Sequence, residues 1–83
     1  MFNWKQFLLE HGWTQDGDYY TFPHPHAVAE DTVIVITGYL FMLWRAWTYN
    51  VNTEATTDHI LLTKTTFIEY VEALSEIPQE ENQ

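Results

Sequence analysis

Cysteine is absent from the 83 residues, and basic residues are scarce: Lys5, Arg45 and Lys64 stand against twelve carboxylates, for a formal charge of −9. The first absence excludes disulfides and thiolate metal sites, and it suits a reducing cytoplasm, the location expected. The second makes nucleic acid and anionic lipid poor partners, because binding them takes Lys and Arg to displace counterions. A basic protein is a good partner for such a chain. Serine occurs once, as Ser75, and three glycines form no phosphate-cradling loop, so nucleophilic catalysis has almost no candidates. The carboxylate pairs Asp16 with Asp18 and Glu30 with Asp31 lie where turns favour acidic residues for backbone reasons. A non-enzymatic protein without a cofactor is expected. No basic segment followed by a long apolar one opens the chain, so a secretion signal is not expected. The longest uncharged run, Thr32 to Trp44, is 13 residues and ends at Arg45. That is short of the ~20 a membrane-spanning helix needs, so no membrane is expected either.

Core material, by contrast, is plentiful, with 46% hydrophobic and 17% aromatic residues. The composition predicts one compact domain over 1–78 and an acidic flexible tail over 79–83. A chain this small buries only ~60% of its unfolded surface, so self-association would help it. Asn3 to His11 reads as a helix, capped by Asn3, ended by Gly12, with Trp4, Phe7, Leu8 and His11 in one stripe. Asp16-Gly17 is a hairpin signal between a strand from Trp13 and another over Asp18 to Phe22. The sequence VIVIT favours strand, yet a straight strand from Thr32 to Tyr49 would reach ~60 Å, about twice the expected diameter. Gly38 is the expected turn or bulge, dividing it into Thr32 to Thr37 and Tyr39 to Tyr49. A polar connection leads to the strand HILLT. A helix follows, capped by Thr65 or Thr66, with Phe67, Val71 and Leu74 on one face and Pro78 as its stop. The fold class predicted is α+β: a small antiparallel sheet of four to five strands with an N-terminal and a C-terminal helix.

His24 and His26 form a His-x-His pair, which chelates zinc or iron when both rings share one face of a strand. Each follows a proline, however, and proline-flanked residues favour a threefold polyproline period that separates positions two apart. A bend is the expected role, with metal binding by His24 and His26 the alternative.

Two features point to a partner surface. Glu69, Glu72 and Glu76 fall within about 60° on a helical wheel, and Glu80 continues the row. Such a row can enter the cationic groove of a nucleic-acid-handling protein and mimic its substrate. The second is LWRAWTY, where alternation puts Tyr39, Phe41, Leu43, Arg45, Trp47 and Tyr49 on one strand face, and Trp44 with Ala46 on the other. Two helices cover one sheet face, which leaves the other as an interface rich in the aromatic and Arg composition of binding hot spots. The residues expected to meet a partner are thus Glu69, Glu72, Glu76, Glu80, Trp44, Arg45, Trp47 and Tyr49. In size and acidity alone the chain resembles small phage or mobile-element inhibitors and bacterial immunity proteins. That resemblance implies a protein that inhibits or modulates a larger basic partner, such as a nuclease. The alternative is an accessory subunit that forms a homodimer through an apolar sheet face.

Overall fold

The structure, a computed structural model, describes residues 2–24 and 31–76. The element order is α1 (Trp4–Glu10), β1 (Thr14–Asp16), β2 (Tyr19–Pro23), β3 (Thr32–Leu40), β4 (Leu43–Asn50), β5 (Ile60–Thr63) and α2 (Lys64–Ser75). The strands form one antiparallel meander in the order β1-β2-β3-β4-β5, so the fold is α+β, a five-stranded sheet with an N-terminal and a C-terminal helix. No described helix is long and apolar enough to cross a membrane.

Helix α1 starts where the Asn3 side chain accepts from the Gln6 N–H at 3.1 Å. It ends in a Schellman closure: Trp13 N–H donates to the Leu8 carbonyl and Gly12 N–H to that of Leu9, with Gly12 at φ 90°. The first hairpin turns on Gly17 and Asp18, between the paired Asp16 and Tyr19, one residue later than the sequence predicts.

The second hairpin differs more. Gly38 does not turn the chain; β3 continues to Leu40, and the turn is Phe41–Met42, with Leu40 paired to Leu43 and Met42 at φ 63°. Tyr39 is the extra residue of a bulge, since Gly38 pairs with Trp44 and Leu40 with Leu43. Gly38 lies close under Trp4: a Cβ there would stand 3.2 Å from Cζ2 of Trp4, a tight contact. Tyr39 and Phe41 are therefore not on the strand that carries Arg45.

The cap of α2 is Thr63, not Thr65 or Thr66. Thr63 ends β5 and, as N-cap, exchanges hydrogen bonds with Thr66, so strand passes into helix without a loop. The core lies between the sheet and both helices. Leu8 of α1 and Phe67, Val71 and Leu74 of α2 pack with Tyr20, Phe22, Ile34, Ile36, Trp44, Ala46 and Leu62. The Trp44 indole, 3% exposed, stacks on Phe67 with centroids 4.5 Å apart.

Candidate functional site

Strand alternation sends Trp44 and Ala46 into the core and their neighbours Arg45, Trp47 and Tyr49 to the opposite face. Both described helices bury their apolar residues in the one core, so neither covers that second face. It forms an open depression of ≈ 480 Å³, floored by Val33 and Val35 of β3 and walled by Tyr19, Trp47 and Tyr49, with Asp16 at its edge.

The ring geometry there is fixed by several contacts. Trp47 stacks on the His59 imidazole with centroids 4.1 Å apart and planes 16° from parallel, and Tyr19 meets Trp47 edge-on at 5.9 Å. Arg45 Nη2 lies 2.7 Å from His59 Nδ1. A guanidinium only donates, so Nδ1 accepts and the His59 proton sits on Nε2. The Arg45 guanidinium also lies 5.0 Å from the centroid of the Tyr39 ring. The segment delivering His59 is ordered by polar contacts: Asn50 Oδ1 accepts from the N–H groups of Asn52 and Thr53, and Asp31 accepts from the side chains of Asn50 and Asn52. Thr57 then ties this segment to Thr48 of β4. The result is an aromatic surface with one cation held in it.

Of the residues expected to meet a partner, Arg45, Trp47 and Tyr49 share this face. Trp44 does not; it is interior, and its position in the sequence alternation, opposite in phase to Trp47, is what buries it. Glu69, Glu72 and Glu76 are exposed on α2, on the side of the helix away from Phe67, Val71 and Leu74. They therefore look outward from the helical layer while Trp47 looks outward from the other face of the sheet, so the acidic row and the aromatic face lie on opposite sides. Glu80 lies outside the described residues. Sequence reading missed Tyr19 and His59: each comes to Trp47 from a different strand or segment, so only the sheet register could reveal them.

The histidine pair is only half visible, since His26 lies outside the described residues. His24 extends the β2–β3 ladder, its N–H donating to the Thr32 carbonyl at 3.2 Å. His11 donates from Nδ1 to the Phe7 carbonyl at 2.8 Å and rests on the Phe7 ring. Among the described residues no group of three or more His, Asp or Glu is arranged to hold a metal.

No family model, curated protein or solved structure matches the chain.

Proposed function

We propose that the protein is a non-enzymatic binding protein that docks on a larger basic protein, one that handles nucleic acid, and inhibits or modulates it. The observation that carries this reading is the sheet face, covered by neither described helix, on which Tyr19, Trp47, His59 and Arg45 contact one another. Preordered aromatic rings lose little entropy on binding and bury large area, as hot-spot residues do.

Charge supplies the choice of partner. All three basic side chains sit over aromatic rings: Lys5 over Trp4, Arg45 over Tyr39 and Lys64 over Phe2. The field of a −9 chain attracts a cationic partner from a distance. Because the α2 row faces away from Trp47, the two features divide the work: Glu69, Glu72 and Glu76 add to long-range attraction, and the sheet face makes the contact. The test is capture from a nuclease-treated lysate, followed by binding kinetics with the retained protein. Trp47→Ala is expected to raise the dissociation rate at unchanged association rate. Replacing Glu69, Glu72 and Glu76 together by Gln is expected to lower the association rate instead. Equal binding by the parent and Trp47→Ala would remove the sheet face from the reading.

A further inference from the structure

We propose that the depression on the Trp47 face seats an arginine side chain of the basic partner, an inference that rests on the partner proposed above. Its walls are aromatic, formed by Tyr19, Trp47 and Tyr49 over a floor of Val33 and Val35. The face of an aromatic ring carries the negative part of its quadrupole, so several rings lining one cavity attract an organic cation. At ≈ 480 Å³ the depression has room for a guanidinium and the methylenes that carry it.

Charge selects a cation for this site. Among the described residues the one charged group lining the depression is Asp16, which stands beside Tyr19 in the β1–β2 pairing. The hydroxyls of Thr21 and Thr56 add acceptors to the lining. Arg45 shares the sheet face, but its guanidinium is engaged by His59 Nδ1 and the Tyr39 ring and does not line the depression. That contact is an example, within the chain, of an arginine seated over a tyrosine, 5.0 Å from the ring centroid.

The source of the cation follows from the same balance. Two chains of −9 repel, and the three cations of a second copy already lie over rings of their own chain, so a copy of this protein is not the donor. Arginine suits the site better than lysine, because a planar guanidinium stacks on rings and is more weakly hydrated than an ammonium, so it loses less on leaving water. Arginine is also a side chain with which a nucleic-acid-handling protein holds phosphate, and seating it here removes it from that use.

The probe is N-acetyl-arginine methylamide, titrated into the full chain and followed in proton–nitrogen NMR spectra at the Trp47 indole and the amides of Val33 and Val35. Its neutral isostere, N-acetyl-citrulline methylamide, carries a urea in place of the guanidinium. The arginine compound is expected to give saturable shifts at these groups, and the citrulline compound to bind about tenfold more weakly. Tyr49→Leu keeps an apolar wall but removes a ring face, and is expected to weaken binding of the arginine compound about fivefold; Asp16→Asn is expected to weaken it about threefold, each with an unchanged circular dichroism spectrum. Equal binding of the two compounds overturns the proposal, as does the absence of shifts at the depression up to the solubility limit of the arginine compound. Tighter binding of the corresponding lysine compound overturns the choice of arginine. The titration needs no partner, so the two readings fail separately. A captured basic protein that binds Tyr49→Leu and Asp16→Asn as tightly as the parent overturns the arginine seat and leaves the partner. A chain that binds the arginine compound but captures no basic protein overturns the partner as its source.

Discussion

Trp44 and Trp47 are three residues apart and have opposite fates. Trp44 stacks on Phe67 inside the core, whereas Trp47 stacks on His59 at the open face. Trp44→Ala should cost about 3–5 kcal/mol, the usual loss for emptying a large aromatic site. Trp47→Ala should cost only ~1 kcal/mol, because its ring is partly in water already. Chemical denaturation of the two variants measures both, and a larger loss at Trp47 would place the core on the wrong side of β4. Sequence alternation separates the two tryptophans but cannot say which is inside, since both faces of LWRAWTY are largely apolar. Only the location of the helices decides it.

Tyr70 offers a test by pH. Burial pushes its phenol above the ordinary 10.0. The unfolded chain therefore releases this proton at lower pH than the folded one, so the contribution is intact below pH 10 and is lost as pH rises through the folded-state value. Denaturation midpoints should fall above pH 10, and Tyr70→Phe should lessen that fall; an identical decline in the variant would contradict the assignment.

At the scale of elements, the amphipathic pieces were legible and the junctions were not. Both helices and the first hairpin follow from apolar spacing, Gly-containing turns and, for α1, the Asn3 cap, signals that act within a few residues. The β3–β4 turn does not, because Phe41 and Met42 carry no turn signal, and the glycine that looks like one lies within the strand, close under Trp4. Gly38→Ala should therefore destabilise the protein by about 1–3 kcal/mol through overpacking against Trp4, although its backbone is ordinary strand. Pairing it with Trp4→Ala should recover part of that loss; strictly additive losses would contradict the packing explanation. The α2 cap lies two or three residues before the expected Thr65 or Thr66 because three of the four residues from Thr63 to Thr66 are threonines, each able to cap by type. Thr63→Ala should cost ~1 kcal/mol, and Thr65→Ala much less, as thermal unfolding can measure. Equal losses would return the cap to an open question of register.

The described residues form a thin two-layer object, 39 × 25 × 20 Å, with the row of Glu69, Glu72 and Glu76 on its helical side, Trp47 and its ring partners on the other sheet face and an apolar tip at one hairpin. The sequence showed that acid and aromatic residues were both plentiful; that the α2 glutamate row and the Trp47 cluster lie on opposite sides comes from the packing of both helices on one face. Attraction at a distance is insensitive to that separation, while short-range affinity is not, so kinetics resolves the two contributions. The most direct measurement is the association rate with the captured basic protein at rising ionic strength, as the Debye length falls from ~30 Å at 0.01 M to ~8 Å at 0.15 M. The account predicts at least a tenfold fall, roughly, with the dissociation rate governed by Trp47. An association rate that does not change with salt would contradict it.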